Sequence, residues 1–163
     1  MRIDSISIKQ GFFYTEKKFT NGFNLVYSDN NSAGKTTLLR CVLYGLGYKI
    51  PGTKGFNMNS INTRMVLYND NEEKIIINRN DINEIELIIN EKQTTYCLPH
   101  EQMILLGELF HNNNEEVLKN LLGALYIDQE KGWTLLNRGK VIGDISFNID
   151  ELVRGLLDLE CND

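Results

Sequence analysis

Apolar and polar positions along the first 30 residues predict three short strands. They are "RIDSISIK" over 2–9, "FFYTEKKF" over 12–19 and, after the turn signal Asn21-Gly22, "FNLVYS" over 23–28. The first two carry charges, whereas the third, with Phe23, Leu25 and Val26, has the compact apolar character of a buried central strand. The pattern then changes period. "TTLLRCVLYGLG" places Leu38, Leu39, Val42, Leu43 and Leu46 on one face of a helix, with Gly45 and Gly47 ending it.

Three β-branched runs follow, "RMVLYN", "KIIINR" and "IELIIN". The turn-rich "DNEE" and "NDINE" separate them, which predicts an antiparallel meander. "YCLPHEQMILLGELF" predicts a helix opening near Pro99, and "NNNEEVLKNLLGAL" another capped by Asn114, with Glu115 and Glu116 at the positive end of its dipole. In "NIDELVRGLLDL", Asn148 and Glu151 form a capping-box pattern ahead of a stripe of Ile149, Leu152, Val153, Leu156 and Leu157. The expected fold class is α/β, with an antiparallel meander and a mixed sheet flanked by helices.

Composition narrows the class of protein. The 163 residues amount to about one domain, and 42% hydrophobic content is enough for a core. No run of about 18 apolar residues could span a bilayer, and Arg2, Asp4 and Lys9 stand where a signal peptide would be apolar. The expectation is a cytoplasmic protein with no membrane partner. Cys41, Cys97 and Cys161 are odd in number and far apart, which argues against a disulfide framework or a zinc site. A net charge of -5 gives no overall field for coating nucleic acid, although a local basic face is compatible with it. The Asn-rich clusters at 57–62 and 112–114, and "PGTKG" at 51–55, read as loops and a turn; His100 and His111 suggest no chemistry.

The candidate chemistry lies in "YSDNNSAGKTTLLR", residues 27–40, a phosphate-binding loop between an apolar run and a helix. Such a loop needs backbone N–H groups converging on phosphate oxygens, a helix N-terminus, a lysine for the β and γ phosphates and a hydroxyl for Mg²⁺. The residues that would cradle the phosphates are Asn30, Asn31, Ser32, Ala33, Gly34, Lys35, Thr36 and Thr37, with the Thr36 hydroxyl on the metal. Asp29 stands where the motif has its first glycine. A carboxylate within about 5 Å of a triphosphate costs on the order of 1 to 3 kcal/mol at an effective dielectric near 20, and nothing if it points away and bonds a neighbouring amide.

The stretch from Ile3 to Tyr48 resembles the N-terminal ATPase lobe of SMC-like ABC ATPases, a group that includes chromosome-structure proteins, double-strand-break repair ATPases and the RecF and RecN proteins. Their loop reads G-P-N-G-[SA]-G-K-[ST]; Asn31, Ala33, Gly34, Lys35 and Thr36 match it, and Asp29, Asn30 and Ser32 depart from it. "IKQGFF" also lacks an arginine that many members place near Phe12 to clamp the nucleotide. "LLGALYIDQEKGW" sits where the family has its Q-loop, which implies that Gln129 reaches the Mg²⁺ and the attacking water. Lys35 and Gln129 are then the catalytic candidates, and Thr36 and Gln129 the metal contacts. A competing reading makes "ALYID" a Walker B strand with Asp128 near the metal.

The resemblance implies further partners. No signature loop, acidic Walker B end or switch histidine follows Gln129, and "NIDELVRGLLDLECND" resembles the root of a coiled coil. Residues 1–147 are thus expected to form the N-terminal lobe and 148–163 the start of a helix leading to the coil, with a C-terminal lobe supplied in cis or in trans. The expected cofactors are ATP and Mg²⁺, and ATP would hold two such heads together. DNA is implied as a partner, with Lys49, Lys54, Arg64, Lys131, Arg138 and Lys140 as candidates for its surface, and Trp133 reads first as core. A small phosphate-loop kinase or a module that only binds nucleotide are the alternatives. An unpaired "FNLVYS" edge is expected where a missing strand would lie.

Overall fold

The computed structural model describes residues 1–30, 34–52, 55–126 and 139–157. It divides into two compact units, Met1–His100 and Glu101–Asp163.

The first unit is built on six strands: β1 (Arg2–Gln10), β2 (Phe13–Lys18), β3 (Asn62–Tyr68), β4 (Lys74–Arg79), β5 (Glu84–Ile89) and β6 (Lys92–Cys97). They pair in the order β2-β1-β3-β4-β5-β6, and every pairing is antiparallel. Period-two alternation decides the buried face. Ile6 and Ile8 of β1, Met65 and Leu67 of β3, Ile75 and Ile77 of β4, and Ile85 and Leu87 of β5 all fall in phase and are buried. On the opposite face a polar row crosses three strands, with Arg64 Nη1 donating to Asn78 Oδ1 at 3.0 Å and Asn78 Nδ2 donating to Glu86. Arg64, a candidate for a nucleic-acid surface, is therefore tied into this row.

Helix α1 (Lys35–Gly45) packs on β3 and β4. Its buried residues are Cys41, Leu43, Tyr44 and Gly45, while Leu39 is exposed, so the buried face is rotated from the predicted one. Gly45 explains the shift. A Cβ there would overlap Met65 Sδ and lie 3.3 Å from Thr63 Oγ1, so the missing side chain lets the end of the helix approach the sheet. Gly47, at φ 100, turns the chain away afterwards, as its position in the sequence predicts.

Two expectations are corrected. "FNLVYS" forms no strand, so within the described residues the sheet is purely antiparallel, not mixed. Phe23, Leu25 and Tyr27 are 89%, 71% and 78% exposed, because among the described residues no strand pairs with this segment to complete a buried layer. In addition, Lys92–Cys97 adds a sheet edge where the sequence reads as polar, and the following helix begins only at Gln102.

The second unit holds α2 (Gln102–Phe110), α3 (Glu115–Leu125), the hairpin β7 (Gly139–Ile142) and β8 (Ile145–Phe147), and α4 (Ile149–Leu156). The sequence pattern does not predict the hairpin. Both predicted caps form: Asn114 Oδ1 accepts from the N–H groups of Glu116 (3.0 Å) and Val117 (3.2 Å), and Asn148 Oδ1 from Asp150 (3.0 Å) and Glu151 (3.4 Å). Asn148 Nδ2 also donates to Glu151 Oε1 at 3.1 Å, but the Asn148 backbone N–H goes to Asn120 Oδ1 at 2.6 Å, so the reciprocal bond of the predicted capping box is replaced by a tie to α3. Buried Asn120 ties the elements together. Its Nδ2 donates to Glu116 O and Glu151 Oε2, and its Oδ1 accepts from Asn148 N. The stripe of α4 does not turn inward; Val153, Leu156 and Leu157 are exposed, and Gly155 makes the close contact with Asn114 and Val117.

Candidate phosphate-binding site

The site forms where the chain enters α1. Gly34 adopts φ 83 and ψ 13, a left-handed conformation that carries a steric cost for any residue with a Cβ and little for glycine. From there the helix starts at once, its first bond running from Leu38 N–H to Gly34 O at 2.9 Å. The amides of Lys35 and Thr36 thus stand at the positive end of the helix dipole. Unlike α3 and α4, α1 has neither a side-chain cap nor an acidic residue in its first turn, so its own residues leave the partial positive charge uncompensated. The exposed Thr36 and half-buried Thr37 lie in that same first turn.

Lys35 curls back over the loop. Its Nζ donates to Asn30 O at 3.2 Å and to Ser28 O at 3.4 Å, so residues 28–30 wrap around the ammonium group. The turn is secured by Ser28, whose Oγ accepts from Asn30 N–H at 3.2 Å. Sequence reasoning gave Asp29 that stabilising bond; the structure gives it to Ser28. The exposed Asp29 takes no part in the side-chain bonds found among the described residues.

The structure therefore brings together Asn30, Gly34, Lys35, Thr36 and Thr37. Asn31, Ser32 and Ala33 lie outside the described residues, as do Asp128 and Gln129, and also Lys54, Lys131, Trp133 and Arg138. Helix α3 includes Ala124 and Leu125, the first two residues of "ALYID", so that segment does not begin as a strand. Among the described residues no group of three His, Cys, Asp or Glu side chains could hold a metal. The donor set suits Mg²⁺ with a triphosphate: backbone amides, an ammonium and a hydroxyl at one helix end. Among the described residues no helix is long and apolar enough to cross a membrane.

At the other end of α1 lies a residue that sequence reasoning missed. Arg79 is 2% exposed, and its guanidinium carbon sits 3.7 Å from the centroid of the Tyr44 ring. Its Nη1 donates to Tyr44 O at 2.6 Å and Tyr48 O at 2.9 Å, and its Nη2 to Ile82 O at 2.9 Å. The signal was present: Arg79 continues the buried phase of Ile75 and Ile77. Burial also pushes the Tyr44 phenol above its ordinary 10.0, an effect that the Arg79 charge opposes, and pushes the Cys41 thiol up to about 12.

Comparison with known proteins now decides the family. Residues 13–152 match the AAA domain. The chain belongs to the AAA domain family. This AAA domain is also 27% identical over 126 residues to the Lamassu protein LmuB of Bacillus sp. (strain NCIM 5461 / CCTCC AB 2011126 / NIO-1130). That match covers 71% of this chain and 22% of LmuB, so the AAA domain spans about a fifth of the relative's length. Together with the α/β architecture and the loop at α1, family membership makes this a phosphate-loop nucleotide-binding protein of the AAA and SMC-like type.

Proposed function

We propose that the chain is the ATP-binding N-terminal half of an SMC-like ABC ATPase head. Completed by a C-terminal lobe in cis or in trans, it would couple ATP binding and hydrolysis to work on DNA in repair, chromosome maintenance or defence. The observation that carries this reading is the left-handed Gly34 opening α1, with Lys35 Nζ held by the carbonyls of Ser28 and Asn30. In that reading the amides after Gly34 bind phosphate oxygens, Lys35 reaches the β and γ phosphates, and Thr36 and Gln129 hold the metal. Mg²⁺ would supply charge neutralisation between the β and γ oxygens.

The exposed apolar stretch at Phe23, Leu25 and Tyr27 supports the incomplete-lobe reading, since it leads directly toward the loop and has no covering strand among the described residues. Phe12 at the β1–β2 turn is also fully exposed. Two heads would close with Gly34, Lys35 and Thr36 of one facing the other. The DNA-associated role rests on the resemblance to SMC-like ATPases.

Titration of the purified chain with a fluorescent ATP analogue and Mg²⁺ tests the site. Saturable binding is expected, lost at least tenfold in Lys35→Ala; in Asp29→Gly it should be unchanged where the carboxylate points away and roughly 5- to 150-fold tighter where it faces the phosphates, that gain measuring the carboxylate's repulsion. Turnover by the chain alone should be negligible. Absence of binding in both the natural chain and Asp29→Gly would refute an autonomous nucleotide site.

A further inference from the structure

We infer that Arg79 is the positioning residue of the phosphate-binding helix, fixing α1 from the end opposite the loop. The inference rests on the nucleotide-binding reading above, but its geometry is independent of any ligand. Helix α1 has no basic residue in its last turn, although the C-terminal end of a helix concentrates negative partial charge on its last carbonyls. Arg79 supplies the missing cation from β4. Its planar fork bonds the Tyr44 carbonyl in the last turn and the Tyr48 carbonyl beyond it, while the Tyr44 ring stacks under the guanidinium. The same side chain donates to Asp81 O at 3.4 Å and to Ile82 O at 2.9 Å.

One buried cation thus joins the end of α1, the segment after it and the β4–β5 turn. Among the described elements the helix packs chiefly on β3 and β4, and Gly45 presents no side chain to lock it there. About 16 Å of helix separates this anchor from Gly34, so a small tilt at the clamp moves the phosphate-binding amides by a comparable fraction of their working distance. A lysine could keep the charge but not the fork or the stacking.

The test combines binding with amide hydrogen exchange on the full chain. In Arg79→Lys, binding of the ATP analogue should weaken five- to twentyfold, with amide exchange over residues 38–42 accelerated about tenfold. Exchange at Met65, Leu67, Ile75 and Ile77 should stay as in the natural chain. A lower melting temperature with unchanged affinity and unchanged α1 exchange would overturn the inference, because it would make Arg79 merely structural. Should Arg79→Lys not fold, Tyr44→Leu, which removes the ring and leaves every carbonyl, carries the same two readouts and the same criteria. If the natural chain binds no nucleotide, the functional reading fails, while α1 exchange alone still decides the role of Arg79.

Discussion

Cys41 and Tyr44 lie about one turn apart on the buried side of α1, and both are held neutral by burial. For Cys41 the consequence for stability has a definite sign. The folded thiol titrates at about 12 against an ordinary 9.0, so between those values the unfolded chain has lost the proton that the folded chain keeps. Stability is therefore unaffected by this group below about pH 9 and falls as pH rises toward 12, by on the order of 1.4 kcal/mol per pH unit. Lysines and tyrosines titrate in the same window, so the contribution is read as a difference. Urea midpoints at pH 8 and pH 10.5 should fall further in the natural chain than in Cys41→Ala; equal falls would mean that Cys41 opens to solvent before global unfolding. The residue scale also shows what a sequence conceals. The left-handed Gly34 and the start of α1 at Lys35 follow from neighbouring residues and are legible in the sequence, whereas Arg79 matters through four carbonyls that only the fold gathers.

Among the elements, β4 was read to the residue, because Ile75 and Ile77 alternate with exposed or half-buried positions between clear turn signals. Strand β6 was missed for the converse reason: its burial is nearly confined to Tyr96, and a polar edge strand looks like a loop. "FNLVYS" fails differently. Its apolar residues state what the segment requires, a covering layer, and the described residues do not provide it. Helix α3 follows from its cap and composition, yet its docking depends on Gly123, which the sequence pattern does not single out. A Cβ at Gly123 would collide with Ser146 O and lie 2.9 Å from Phe147 Cβ, so β8 sits directly on the helix backbone. Helix propensity favours Gly123→Ala by about 1 kcal/mol, but overpacking against a strand carbonyl costs about 1 to 3 kcal/mol or more. The steric term should win. Gly123→Ala is expected to lower stability by about 1 to 2 kcal/mol in urea melts, and a stabilised variant would show that the hairpin yields without cost.

At the scale of the whole molecule, the acidic surface and the exposed apolar segment pull in opposite directions. A net charge of -5 disfavours association of identical chains, by a repulsion that salt screens within about 8 Å at physiological ionic strength. Phe23, Leu25 and Tyr27 favour it, since an apolar stretch without strand partners is a template for pairing. At close contact the apolar term is the larger: covering one such side chain is worth about 1.5 to 3 kcal/mol, against a screened repulsion between charges spread over the surface. Sedimentation velocity should therefore show concentration-dependent association that grows as salt is raised. Leu25→Lys should abolish that association while leaving the melting temperature nearly unchanged, because an exposed side chain contributes little to the fold. A large drop in melting temperature would instead mean that Leu25 is covered within the chain. If Leu25→Lys still associates, some other apolar surface governs it, with the Val153, Leu156 and Leu157 face of α4 the next to change. The segment that precedes the phosphate loop would then not be the docking edge, and nucleotide binding and lobe completion would have to be joined through a different part of the AAA domain.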